Sequence, residues 1–187
     1  MKHDSKCICP YWVGYFLLNP FRRYAHNPEK ILSPYVKPGM HVLDYGCAMG
    51  FFSLPLAKMT GDTGRVYCAD IQEKMLVKLM KRAAKANVEH IIEPLLIDEN
   101  YKFENLKNKI DFALLFFVVH EVPDKNALFM NLNHILKPNA LVVFAEPIMH
   151  VKIHEFKQSL LLAQETGFEI VDLIEVNKAH AALLRKN

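Results

Sequence analysis

Three groups of residues in this chain have the types and spacing to do chemistry. The first lies in residues 40–51, Met-His-Val-Leu-Asp-Tyr-Gly-Cys-Ala-Met-Gly-Phe, where Val42 and Leu43 end a predicted strand and Asp44 stands at its carboxyl end. Gly46 and Gly50 permit a tight backbone path into an apolar helical run that begins at Phe51. In open α/β sheets the ligand lies outside the strand carboxyl ends, so Asp44 is expected to face it. A dinucleotide turn holds pyrophosphate on a helix N-terminus and wants a third glycine close to the second. Here the spacing is Gly-x-x-x-Gly with Ala48 between, and a carboxylate at Asp44 repels pyrophosphate but attracts a cationic amine. The second group is Asp70, 24 residues after Gly46, where an α/β nucleotide site places an acid that accepts both ribose hydroxyls. An acid in that place also suits the N-cap of the helix that follows. The third group is His120, Glu121, Glu146 and His150, at the carboxyl ends of two further predicted strands, with His154 beyond. His120 or Glu146 can deprotonate an acceptor if its pKa is near the operating pH. Imidazole with carboxylate also suits zinc, iron or manganese, and the plain alternative is capping and backbone bonding.

The elements that must position these groups alternate. Asn27-Pro28 is a capping side chain followed by proline at the first helical position, and predicts a helix over 27–36. After the first strand, a helix over 51–59 tolerates Pro55 within its first turns. Residues 65–70 read as a strand, and 72–86 as an amphipathic helix with Met75, Leu76, Leu79, Met80 and Ala83 inward. Lys74, Lys78, Lys81, Arg82 and Lys85 are expected on its solvated face. A third strand falls within 87–97, blurred by Pro94, and 98–108 is a polar connection. Residues 110–122 read as a central parallel strand covered on both faces, followed by a helix over 125–136 stopped by Lys137-Pro138-Asn139. A fifth strand is expected at 140–145, a helix at 153–166 ended by Gly167, and two strands at 168–176 and 180–185, close enough to be antiparallel. This order predicts a doubly wound sheet with helices on both faces.

With 187 residues, 51% of them hydrophobic, one domain spanning 1–187 is expected. A formal net charge of +3 without a basic block does not argue for nucleic acid. Cys7, Cys9, Cys47 and Cys68 make no disulfide framework; reduced thiols and a cytoplasmic location fit better. The apolar stretch 7–18 is interrupted by Pro10 and Gly14, precedes no cleavage site and is too short to cross a bilayer. Residues 1–26, with Tyr11, Trp12, Tyr15, Phe16 and Phe21, are expected to form a lid or cap.

At Asp44-Tyr-Gly46-Cys-Ala48-Met-Gly50 the chain resembles the class I S-adenosylmethionine-dependent methyltransferases, whose first motif is Asp-x-Gly-x-Gly-x-Gly; Ala48 replaces the middle glycine, tolerable if it needs no positive φ. The resemblance runs over residues 27–187. It implies a Rossmann-like sheet of seven strands in the order 3-2-1-4-5-7-6, strand 7 antiparallel, and S-adenosylmethionine as cofactor. It implies that Asp44, Gly46, Cys47 and Gly50 hold the cofactor and that Ile71 meets adenine. It implies also that Asp98 meets the adenine amino group, with Glu99 competing, and that Phe117 lies under the methionine portion. The Asn/Asp-Pro-Pro-Tyr/Phe stretch of amino methyltransferases is absent; Val119-His120-Glu121-Val122-Pro123 is closer to the small-molecule branch that includes ubiquinone and menaquinone methyltransferases. The expectation is methyl transfer to a small-molecule acceptor. Cofactor binding without turnover is the alternative, and a nicotinamide oxidoreductase is disfavoured by the missing glycine and Asp44.

Overall fold

The structure is a computed structural model that describes residues 24–98 and 102–187. Most of the expected 1–26 lid, with Cys7, Cys9 and its aromatics, lies outside the described residues, as does Glu99.

Seven strands form one sheet in the order β3-β2-β1-β4-β5-β7-β6. They are β1 (His41–Tyr45), β2 (Arg65–Asp70), β3 (Ile92–Leu96), β4 (Ile110–Phe116), β5 (Leu136–Pro147), β6 (Phe168–Leu173) and β7 (Ala179–Lys186). The first five pair in parallel, and β7 is antiparallel to both β5 and β6. The order and the antiparallel strand are those expected. The helices are α1 (Pro28–Leu32), α2 (Ser53–Thr60), α3 (Glu73–Lys85), α4 (Lys125–Ile135) and α5 (Ile153–Glu165).

Side chains alternate across the strands and build a core on each face. On one face Leu43, Leu115 and Phe144 meet Phe129 and Leu132 of α4 and Phe156 of α5. On the other Val42, Val66, Leu114 and Val143 meet Leu56 of α2 and Leu76 and Leu79 of α3. Pro94 is accommodated because β3 is an edge strand, which needs no amide on its outer side.

Several boundaries differ from expectation. The first helix stops at Leu32, although Asn27 caps it as predicted by accepting from Lys30 N at 3.0 Å. Strand β4 ends at Phe116, not Val122: Phe117 takes φ +62°, and Val119–Glu121 form a turn of 3-10 helix. Strand β5 begins at Leu136, so Lys137-Pro138-Asn139 lies within its irregular start rather than between helix and strand. No helix among the described residues is long and apolar enough to cross a membrane.

Candidate functional site

The chain leaves β1 at Tyr45 and is folded back against β2, because the amides of Gly46 and Cys47 both donate to the Ala69 carbonyl, at 2.8 and 3.1 Å. Gly46 (φ +74°) and Gly50 (φ +80°) are in the left-handed region. A Cβ on Gly46 would lie 2.4 Å from Val118 Cγ2, so the glycine also makes room for the segment after β4. Ala48 shares the left-handed conformation at φ +47°, which corrects the expectation that alanine was tolerable for lack of such a need. What holds it there is Asp70, whose Oδ2 accepts from Ala48 N at 2.9 Å while Oδ1 accepts from Gln72 N at 2.8 Å. Asp70 therefore clamps the turn and the corner that leads into α3, but the N-cap of α3 is Gln72, which corrects the capping reading of Asp70. Burial pushes its pKa up, and the amides of Gln72, Ala48 and Ile71 pull against that rise.

Asp44 is buried and takes the Ser53 hydroxyl at 2.5 Å, a bond from the first residue of α2. Ile71, beside Asp70, is 43% exposed. An open aliphatic surface next to a buried acid suits a nucleoside, the base on the one and the ribose hydroxyls on the other. Two carboxylates at a turn of backbone amides suit a ligand carrying an amine and hydroxyls better than one carrying phosphate. The turn thus fits S-adenosylmethionine. Cys47, in contrast, turns its thiol inward beside Cys68, and burial raises the thiol pKa well above its ordinary value. Asp98 is exposed and lines a concavity with Tyr45, Ile97, Phe103 and Asn131, beyond the edge of β1.

A second cluster stands where β4 and β5 end. Phe117 still donates its amide to Ala145 O at 2.8 Å, and its positive φ then swings the chain back. The swing lays Val118 on Gly46 and aims the next two residues at Glu146. Glu146, only 2% exposed, accepts from Val119 N at 2.8 Å through Oε1 and meets His120 Nδ1 at 2.5 Å through Oε2. The two residues singled out as candidate base and partner are thus brought together. Burial lowers the pKa of His120, but the hydrogen bond and charge of Glu146, with the charge of Glu121, outweigh burial and the opposing Lys125; the net direction is up. Glu121 is peripheral, its Oε1 3.9 Å from His120 Nε2. The His150 ring lies nearly parallel to that of His120, centroids 6.1 Å apart and planes within 13°. His154 is exposed on α5 and belongs to neither cluster. No group of three or more His, Cys, Asp or Glu side chains suited to a metal ion occurs among the described residues.

Sequence reasoning missed four contributors. Ser53 gave no signal, since a serine opening a helix reads as a cap. Val118 was taken as part of a strand. Arg82 was assigned to the solvated stripe, yet its guanidinium bonds the Met49 carbonyl in the glycine turn, and α3 rotates it half out of water. His26 packs edge-on against Phe116 and Phe117, centroids 5.3 and 5.2 Å away, and bonds Asn177 O at 2.8 Å. Only the spacing of Met75, Leu79 and Arg82 along one helix hinted that Arg82 could reach the turn.

A family profile described as "Methyltransferase domain" matches residues 36–180. The demethylmenaquinone methyltransferase of Staphylococcus aureus is 33% identical over 112 residues, which are 59% of this chain and 44% of that protein. The chain thus spans less than half the length of this curated relative. Among solved structures, an S-adenosylmethionine-dependent methyltransferase from Aquifex aeolicus is 26% identical with a TM-score of 0.85, covering 95% of this chain and 98% of that one. The cyclase SpnF, 17% identical, shares the fold at a TM-score of 0.64, covering 94% of this chain and 65% of its own.

Proposed function

The chain belongs to the class I S-adenosylmethionine-dependent methyltransferases, and from that premise we propose that it moves a methyl group from S-adenosylmethionine to a small-molecule acceptor, with His120 as the acceptor-side base and Glu146 as its orienting carboxylate. The observation that carries the acceptor half is the bond of His120 Nδ1 to a Glu146 carboxylate whose other oxygen is fixed by Val119 N. S-adenosylmethionine bound at the turn supplies a methyl group already activated by its sulfonium charge.

The remaining work falls to the chain. Asp44 meets the amino-acid end of the donor beside the glycine turn, Asp70 accepts from the ribose, and Ile71 covers the adenine. Phe117 lies under the methionine portion and Asp98 meets the adenine amino group. Holding donor and acceptor in line supplies several kcal/mol of barrier lowering by orientation alone. With Nδ1–H held by Glu146, the proton-free Nε2 of neutral His120 takes the proton from an acceptor hydroxyl or an acidic carbon, and the resulting imidazolium is stabilised by the Glu146 charge. The substrate named for the staphylococcal relative fits an acceptor of the quinol kind, and the aliphatic Ile148 and Met149, exposed beside His150, suit an apolar ring.

Calorimetry tests the donor half: micromolar-range binding of S-adenosylmethionine and its homocysteine product is expected, and much weaker binding of NAD. Tight NAD binding with no response to the methyl donor would overturn the reading. The acceptor half is tested by turnover over phenols, quinols, thiols and amines as a function of pH. Because the base must be neutral and its pKa is raised, the rate should climb with pH along a limb above the ordinary imidazole value of about 6.5. Glu146→Gln should move that limb down, and His120→Ala should lower the rate by roughly a hundredfold or more. Methyl transfer that ignores both substitutions removes the pair from the chemistry.

A further inference from the structure

We propose that Tyr45 is a specificity residue for the methyl donor: its hydroxyl donates a hydrogen bond to a ring nitrogen of the adenine. The proposal rests on the reading of Asp70 and Asp98 as the nucleoside contacts.

Three neighbouring strands bring these residues to one stretch of the sheet's carboxyl edge. Tyr45, the last residue of β1, pairs with Ala69, which precedes Asp70 at the end of β2. Asp70 pairs in turn with Leu96 at the end of β3, and its carbonyl accepts from Ile97 N at 3.1 Å, which holds Asp98 one residue further on. Two strand spacings are about 10 Å, roughly the length of a nucleoside. Side chains alternate along β1, so Tyr45 lies with Leu43 on the face that α4 covers, opposite Asp44 and its bond to Ser53 of α2. There it lines the same concavity as Asp98, together with Ile97, Phe103, Asp124 and Asn131.

Adenine offers one amino donor and three ring acceptors, N1, N3 and N7. The carboxylates of Asp70, Asp98 and Asp124 only accept, so they can meet the amino group and the ribose hydroxyls but no ring nitrogen. A phenol hydroxyl can donate to one. Tyr45 is half-buried, and among the described residues its hydroxyl has no hydrogen-bond partner, yet that oxygen is not sealed away from water. A polar group in that state, on the wall of a concavity, is placed for a ligand. Burial, and after it the charge of Asp70, raises the pKa of the phenol, so the proton stays on the oxygen at neutral pH. The other side-chain donor on the wall is the Asn131 amide, which the experiment separates from Tyr45.

Calorimetry on the full chain tests this with the homocysteine product and three analogues of it, each with carbon in place of N1, N3 or N7. In the parent, the analogue that lacks the nitrogen met by Tyr45 should bind about five- to tenfold more weakly than the product itself. Tyr45→Phe should weaken the product by a similar factor and bind product and that analogue alike, while the other two analogues keep their parent ratios to the product. If no analogue binds the parent more weakly than the product, the proposal fails, whether or not the variant folds. Unchanged product affinity in Tyr45→Phe would sink it too. So would an analogue penalty that survives in Tyr45→Phe, because the nitrogen then belongs to another donor, the Asn131 amide or a backbone N–H. Asp70→Ala is the control for the site: if it binds the product as tightly as the parent does, the nucleoside itself is misplaced. A weakened Asp70→Ala beside an unresponsive Tyr45→Phe confines the failure to Tyr45.

Discussion

A methyl group added at Gly46 would meet Val118 Cγ2 at 2.4 Å and Cβ at 2.8 Å, on a backbone at φ +74°. Gly46→Ala is therefore expected to cost about 1–3 kcal/mol from overpacking, beyond the strain of the left-handed backbone. Pairing it with Val118→Ala removes the 2.4 Å contact but keeps the one to Cβ, so it should recover only part of the overpacking, which denaturant melts of the two variants and their combination would resolve. Asp70 clamps Ala48 and Gln72, and the proposed function adds contact with the ribose. Asp70→Ala should then weaken S-adenosylmethionine binding by roughly 2–4 kcal/mol and also lower the melting temperature. Calorimetry with a parallel melt checks both, and unchanged affinity in a folded variant would leave Asp70 with the clamp alone. Its pH dependence runs in opposite senses. Burial raises the pKa in the folded chain, so the stability this group contributes is fullest below the ordinary aspartate pKa and is lost as pH rises through the raised value. Ribose binding needs the carboxylate and improves over that same rise. At this scale the placing of Asp44, Asp70 and Glu146 at strand ends, and of His120 within reach of Glu146, was legible from the strand pattern. The left-handed Ala48 was not, since nothing in an alanine announces a positive φ that a distant carboxylate holds in place.

The end of β4 shows how an element differs from its composition. Phe-Phe-Val-Val at 116–119 has every property of a buried strand, yet pairing stops at Phe116 because the chain must turn to deliver Val119 N and His120 to Glu146. Apolar runs report burial and not direction, so the strand's existence was legible and its end was not. The same holds for β5, whose first residue Leu136 pairs with Ile110 before Pro138 and Asn139 have been passed. Helix starts were read more closely, because a cap is a local chemical signal. Asn27 caps α1, and Asp124 caps α4 by accepting from Ala127 N at 2.8 Å. Asp124→Ala should cost about 1 kcal/mol of stability, as N-cap truncations do. Asp124 also lines the concavity shared by Asp98 and Tyr45, so if adenine reaches Asp98 the variant should lose donor affinity as well as stability, which a donor titration beside the melt checks.

The whole sheet followed from the alternation of strand and helix together with the family resemblance; alternation alone leaves the order of strands open, and the resemblance supplied it. The aromatic N-terminal segment enters at this scale. His26 is fastened to Phe116, Phe117 and Asn177 at the end of β4. If residues 7–24 close over an acceptor, deleting them should leave donor binding nearly intact and abolish turnover, because closure excludes water and completes the acceptor wall. If they are a core helix, the deletion should cost several kcal/mol of stability by exposing apolar surface. A melting curve, a donor titration and a turnover assay on the truncated chain separate the two, and a folded, fully active product would remove the lid. One feature of the sheet bears on how the protein is made. Strand β7 follows β6 in the chain but lies between β5 and β6. As the chain leaves the ribosome, residues 168–173 have no neighbour to pair with until residues 179–186 have emerged, so β5 waits with an open edge and the nascent sheet stays incomplete. A stalled chain ending near Lys178 should be digested readily by protease across β5 and β6, and one long enough to release Lys186 should be protected.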